Sequence, residues 1–417
     1  MFVGVMAFSF RRGPENRDLV ERGGAMNVMA KQTESELLDI ADQLREELVE
    51  RSNEIDKNRY LPQDLADKLA SIGFYRLVAP ETLGGLGVSP EFFCRICESL
   101  ATGNGSTAWC VFIGATSQYL FGALPTSQLK KMLANPNVIT SGVFADSGTA
   151  MEKKRDGQPG YLINGHWRWG SGCRNAEWIS GGIHEIDVTG EPLKKNAPLT
   201  RVFFRPEEVE ILDNWHSSGM RGSGSSDYVA KDVWVPAERL AGDVQDGEYA
   251  QLPIYQFPKF ALLGTPIAAI CLGMAQACLD EVLEESKRKT PQGSRRPLSL
   301  RPSLHIAVAE SETILRSARE LFYADIKESW RRAQSGPGSL EDRRLMRTST
   351  VHAVNAALNV IDRMYTIMGG SSVYETSCLQ RHFRDAHVAS QHMMVGEPIM
   401  ELAGRVMLEL DDQAFGL

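Results

Sequence analysis

Tyr161-Leu162-Ile163-Asn164-Gly165-His166-Trp167-Arg168-Trp169-Gly170 is the stretch on which the fold turns. Two short aliphatic and aromatic runs flank an Asn-Gly pair, and both of these residues tolerate the left-handed backbone of a tight hairpin turn. The stretch therefore predicts two strands joined at Asn164-Gly165. Outward from it, Val138–Phe144, Trp178–Ile183, Arg201–Phe204 and Tyr228–Pro236 also carry strand signals, with a turn over 157–160. Residues 137–240 thus read as an all-β block with short strands and polar turns. On both sides the pattern changes to helix. Leu37, Leu38, Ile40, Ala41, Leu44, Leu48 and Val49 keep helical spacing. Pro62 opens a helix that Gly73 ends, Pro90 opens the next, and 106–122 is apolar almost all round, as a buried helix would be. Beyond Pro258 come four long helical segments, 260–289, 303–335, 340–368 and 378–410, the third stopped by Gly369-Gly370. This order implies an α+β chain in which a four-helix bundle carries a small β domain on its flank. The expected division is a disordered extension over 1–32, a helical domain over 33–136, a β domain over 137–240 and the bundle over 241–417.

Composition sets limits on function. Of 417 residues, 43% are hydrophobic and 24% charged, an ordinary globular balance with ample core. A net charge of −8 argues against nonspecific nucleic-acid binding. The cysteines number seven, odd and scattered, which suits a reduced, cytoplasmic chain. Cys94 and Cys97 form a CxxC, but their surroundings read as a buried helix and no second pair completes a metal site. No run is read as a membrane span. Met1–Arg12 starts apolar but carries its arginines on the wrong side for a secretory signal, so 1–25 reads as an upstream start, with Met26 or Met29 as alternatives. A GxGxxG after a first strand is missing, which argues against a nicotinamide site of the Rossmann type.

Several short motifs carry a resemblance. They are Ala79-Pro80-Glu81-Thr82-Leu83-Gly84-Gly85-Leu86-Gly87, the 161–170 stretch, Gly219-Met220-Arg221-Gly222-Ser223-Gly224-Ser225-Ser226-Asp227 leading into Val233-Trp234-Val235-Pro236, Gly369-Gly370, and Arg384-Asp385-Ala386. Their order resembles the acyl-CoA dehydrogenase fold from about residue 35 to about 405. Two departures matter. With Arg384-Asp385-Ala386 as the anchor, Met393 stands where the dehydrogenases carry their catalytic glutamate, and a thioether cannot take a proton. Phe144-Ala145-Asp146-Ser147-Gly148 replaces a Thr-Glu-Pro-like turn. Trp169-Gly170-Ser171-Gly172-Cys173 and His392 are similar instead to the flavin-dependent monooxygenases of this fold. These are the oxygenase components of two-component systems, such as hydroxyphenylacetate hydroxylase, dibenzothiophene and indole oxygenases and amino-sugar N-oxygenases.

That resemblance implies reduced flavin, FMN ahead of FAD, with O2 as co-substrate. It implies hydroxylation of a small aromatic, phenolic or indolic molecule through a C4a-hydroperoxyflavin. The alternatives are N- or S-oxygenation, an acyl-CoA dehydrogenase with a relocated base, and a catalytically silent relative. A separate NAD(P)H:flavin reductase would supply the flavin, and the chain would form a homotetramer. By the resemblance Ser171 lies by flavin N5. His392, on the last bundle helix, serves as general base or hydrogen-bond partner. Trp169, Gly172, Arg221, Ser223 and Ser225 border the cofactor. Arg288, beside Arg295-Arg296, is a candidate for the flavin phosphate, and Gly369-Gly370 allows close approach from a neighbouring subunit. Each has a plainer reading: Ser171 as a turn residue, His392 and Trp169 as core, the arginines as a solvated linker, the glycines as a helix stop. Trp109, Tyr119, Ser147, Phe257 and Met393 are candidates for lining the substrate pocket, with no metal expected. His387, five residues before His392, would point to another side of a helix and reads as surface.

Overall fold

The computed structural model describes residues 33–193, 200–411, 414, 416 and 417; the expected extension over 1–32 lies outside them. The chain begins with α1 (Glu34–Gln43), α2 (Arg45–Asn58), α3 (Gln63–Ile72), α4 (Pro90–Gly103), α5 (Gly105–Tyr119) and α6 (Thr126–Met132). Thr33 and Glu36 close a reciprocal capping box on α1, and Gly73 takes the left-handed conformation that ends α3. Asn104 ends α4 and caps α5, its side-chain oxygen accepting from the Thr107 amide at 2.9 Å. Nearly every residue of α5 is buried, which is why its sequence lacks a polar face.

The middle of the chain forms one sheet from β1 (Thr140–Glu152), β2 (Gly160–Gly170), β3 (Trp178–Ile186), β4 (Thr200–Phe204), β5 (Glu210–Ile211), β6 (Ser226–Pro236) and β7 (Leu240–Ala241), in the order β5-β6-β2-β1-β3-β4-β7. β1 and β3 are parallel; the other pairs are antiparallel. The stretch 161–170 is not a hairpin. It is one strand, and the β1–β2 turn lies earlier, at Asp156-Gly157, both at positive φ and closed by an Arg155–Gln158 bridge. Asn164 stays in the strand because Asp232 of β6 satisfies it across the sheet: its amide donates to the Asp232 carboxylate at 3.0 Å, and its carbonyl oxygen accepts from the Asp232 N–H at 2.8 Å. Gly165 is there for close approach, since a Cβ would lie 2.6 Å from the Trp167 ring. Trp167 is the core of the sheet, stacked on Tyr228 with ring centroids 5.4 Å apart, its indole donating to the Gly182 carbonyl at 2.9 Å.

After α7 (Pro253–Gln256) the bundle is built from α8 (Lys259–Arg288), α9 (Pro302–Ala333), α10 (Leu340–Met368) and α11 (Cys378–Ala389), followed by α12 (Glu397–Met407). α8 and α10 run side by side in the same direction: Arg347 lies against Gly264 at one end, and Lys289 donates to the Met368 carbonyl at the other. α9 and α11 return, tied by Arg363–Glu310 and by His387–Asp362 at 2.8 Å. Two expectations change here. The uncharged run 260–279 is long and apolar enough to cross a membrane, with mean hydropathy 1.8 over its best window, but 94% of that window is buried inside the fold, α8 being the helix the others surround. The last segment is not one helix. It stops at Ala389 and restarts at Glu397, because Gly396 is extended and Pro398 occupies the first turn of α12.

Cys94 and Cys97 are buried on α4, and burial pushes the Cys94 thiol up to about 12. Among the described residues no three His, Cys, Asp or Glu side chains gather as a metal site.

Candidate active site at the junction of sheet, helix and turn

β2 ends in an irregularity that builds the site. Its pairing with β6 slips between Trp167 and Gly170, and Trp169 in the slip takes φ 65, a left-handed conformation costly for a bulky residue. The Asp227 carboxylate accepts from the Trp169 amide at 3.2 Å, and the Trp169 carbonyl accepts from the Ser171 amide at 2.9 Å. The kink leaves the Trp169 ring 68% exposed and turns Ser171 inward. There the Ser171 carbonyl accepts from the Ser141 hydroxyl at 2.7 Å, and the Gly172 amide donates to the Ser223 carbonyl at 2.8 Å.

The loop before β6 supplies the opposite wall. Gly219 packs on the backbone of Arg384, where a Cβ would be 2.2 Å from a carbonyl oxygen. Met220, at φ 51, donates its amide to Asp385 at 2.6 Å. Asp385 is fully buried, and burial, with Asp56 beside it, pushes its carboxyl up to about 7. Thus Arg384-Asp385-Ala386 anchors the loop from behind. Ser223 and Ser225 then face Ser171: Ser171 and Ser225 hydroxyls are 2.7 Å apart, Ser225 and Ser223 hydroxyls 2.6 Å.

Trp109 of α5 completes the row, its indole N–H donating to the Ser171 hydroxyl at 3.0 Å. An indole can only donate, so Ser171 accepts from it. Three hydroxyls carry three protons and their two mutual bonds use two. One O–H, on Ser171, Ser223 or Ser225 according to the directions of the two bonds, is left for a ligand. The Trp109 ring also meets His392 edge-on, centroids 5.8 Å apart, so one side chain links the two residues singled out as Ser171 and His392.

His392 is not on a helix face, as expected from the sequence, but in the turn between α11 and α12. Its Nδ1 accepts from the Met394 amide at 3.2 Å. Burial, and then the nearby Arg347 guanidinium, lower its pKa to about 4, so it is neutral at pH 7. Arg347, near the start of α10 and without a sequence signal of its own, is fully buried and donates to the Met394 carbonyl at 2.8 Å.

Outside this row a groove of about 330 Å³ opens beneath Trp169, bordered by Arg168, Trp215, His216, Ser225 and Asp227. The Trp215 and His216 contribution was not foreseen; an aromatic pair just ahead of the Gly219 loop was the available signal. Other candidates lie elsewhere. Arg221 is turned to the Asp56 carbonyl at 3.1 Å. Arg288 is exposed and paired with Glu284 and Glu285. Gly369 and Gly370 stand in the open, with nothing near their Cβ positions. Tyr119 packs against Tyr255 and Phe257 against Trp330, both in the packed interior. Ser147 is exposed on β1, and Met393 is 76% exposed beside His392.

Known proteins match this chain in sequence and fold. The N-terminal domain of acyl-CoA dehydrogenases matches residues 32–133 and their C-terminal domain residues 265–397. XiaF from Streptomyces sp., solved in complex with FADH2 and glycerol, shares the fold with a TM-score of 0.83 at 22% identity, over 90% or more of both chains (91% and 96%). An indole-3-acetate monooxygenase of Pseudomonas putida is 30% identical over 358 residues, 85% of this chain and 89% of that one. The chain belongs to the flavin-dependent monooxygenases of the acyl-CoA dehydrogenase fold. The HsaA oxygenase subunit of a Mycobacterium tuberculosis flavin-dependent monooxygenase is 28% identical over 379 residues, 88% of this chain and 93% of that one. The site's residues fit a flavin, offering an exposed aromatic face in Trp169 and one spare buried hydroxyl proton beside it.

Proposed function

We propose that this monooxygenase is the oxygenase component of a two-component system, taking reduced flavin from a separate NAD(P)H:flavin reductase. It would place one oxygen atom on a small aromatic or indolic acid. The observation that carries the reading is the row Ser223–Ser225–Ser171–Trp109–His392, its serines and Trp109 buried, His392 half-buried, and Ser225 on the Trp169 groove. The names of the relatives supply the substrate class: one acts on indole-3-acetate and another is an oxygenase subunit.

When bound, reduced flavin would supply the two electrons that let O2 deliver one atom to substrate and the other to water. The chain's residues do the rest. Trp169 offers a flat wall, with Trp215 and Ser225 along the same groove. FMN and FAD share the ring system these residues would meet. The row's spare O–H donates to an acceptor in the site, and because the three serines are buried that bond does not compete with water. His392, neutral at pH 7, borders the corner where a substrate would sit.

Supplying the protein with a flavin reductase, NADH, either flavin and a panel of arylacetates, phenols and indoles should yield a product heavier by one oxygen. Anaerobic bleaching of bound flavin by an acyl-CoA, with no oxygenated product from the panel, would overturn the proposal in favour of a dehydrogenase.

A further inference from the structure

The turn that carries His392 is fixed on both sides of Met394. The Met394 N–H points to His392 Nδ1 at 3.2 Å. The Met394 carbonyl receives Arg347 Nη1 at 2.8 Å, and the same guanidinium reaches the Phe260 carbonyl at 3.4 Å. Gly264 makes room for this, since a Cβ there would lie 2.3 Å from Arg347 Nη1. A backbone amide can only donate, so Nδ1 is the unprotonated nitrogen, and a neutral imidazole then carries its hydrogen on Nε2. Nε2 makes no hydrogen bond to any described residue.

We propose that His392 acts as an Nε2–H donor to an oxygen acceptor of the aromatic substrate, in a tautomer locked by the Met394 amide, with Arg347 as the positioning residue behind the turn. This rests on the oxygenase reading above and replaces the general-base half of the expectation for His392. A base at Nε2 would need the hydrogen on Nδ1, facing the Met394 N–H at 3.2 Å with two donors and no acceptor. The Arg347 charge opposes the other escape, protonation of both nitrogens. The acceptor is the kind of oxygen an arylacetate or a phenol carries, electron-rich and suited to a corner with a buried guanidinium behind the donor.

Two readouts test this. In the full-length protein labelled with 15N-histidine, long-range proton–nitrogen correlations should show one histidine held as the Nε2–H tautomer around neutral pH. That signal should be absent in His392→Gln and should become a tautomer mixture in Arg347→Met. In turnover, His392→Gln offers an amide N–H but no base, and should keep kcat within ~10-fold of wild type. His392→Leu should lose ~100-fold or more, while both variants bind reduced flavin as wild type does. A His392→Gln variant that folds and binds flavin yet is as inactive as His392→Leu overturns the donor role. So does a spectrum with the hydrogen on Nδ1. A wild type that oxygenates no aromatic acid overturns the oxygenase reading and the donor role with it, and the spectrum then still decides whether the lock exists.

Discussion

Replacing Trp169 by glycine and by alanine separates backbone strain from ring function. The ring is 68% exposed, so only about a third of its ~250 Å² is covered, worth ~2 kcal/mol at ~25 cal/mol per Å². Both variants lose that. Alanine keeps the left-handed conformation at φ 65, which costs an L-residue ~1–2 kcal/mol. Glycine removes that cost and gives back ~0.5–1 kcal/mol in unfolded-chain entropy. Trp169→Gly should therefore be the more stable of the two by ~0.5–1 kcal/mol, the reverse of the usual order. Urea denaturation followed by circular dichroism, with equal slopes for the two proteins, reads the difference. If the ring forms a wall of the flavin site, both should bind reduced flavin about tenfold more weakly, ~1.4 kcal/mol, in an anaerobic fluorescence titration. An alanine variant more stable than the glycine one would refute the strain. Unchanged flavin affinity in both would remove Trp169 from the site.

Three further outcomes follow from other parts of the structure. The His392 pKa is held near 4, below its ordinary 6.5, so its contribution to stability is present above about pH 6.5 and fades as pH falls through 4. Protonation at Nδ1 would set two donors face to face at the Met394 N–H and release the turn, so kcat/KM should fall near pH 4, and Arg347→Met should move that limb upward in a pH–rate profile. Asp385 has the opposite sign. Its folded pKa of about 7 exceeds the ordinary 3.8, so its contribution is complete below that value and is lost as pH rises through 7. Asp385→Asn keeps an acceptor for the Met220 amide and should flatten that slope, standing above wild type by roughly a few kcal/mol near pH 8 in denaturant titrations. Gly165→Ala should cost ~1–3 kcal/mol, because its methyl would meet the Trp167 ring at 2.6 Å, and it should leave flavin affinity unchanged if the damage stays within the sheet.

Much of this architecture was legible in the sequence. The helix–β–helix order follows from local periodicity, and the runs Ala79–Gly87, Gly219–Asp227 and Arg384–Ala386 mark positions where backbones touch or a loop is anchored. The failures are non-local. Asn164-Gly165 looks like a turn until Asp232, far along the chain, takes up both ends of the Asn164 amide. The break over 390–396 was signalled by Gly396 and Pro398, but the apolar spacing around them favoured one long helix. Ser171 and His392 could each be named, yet nothing local says that Trp109 joins them. Arg347 sits in an amphipathic helix where an arginine ordinarily faces solvent; only the packing of α8 against α10 shows that it is enclosed.

The most direct measurement is a single turnover. Protein loaded with prereduced flavin is mixed with isotopically labelled O2 and an aromatic acid that it turns over. The oxygenase account predicts one labelled atom in the product for each flavin oxidised, with Ser171→Ala diverting most of the label to hydrogen peroxide. Label found only in peroxide with the wild type, or a Ser171→Ala protein as well coupled as the wild type, would contradict it.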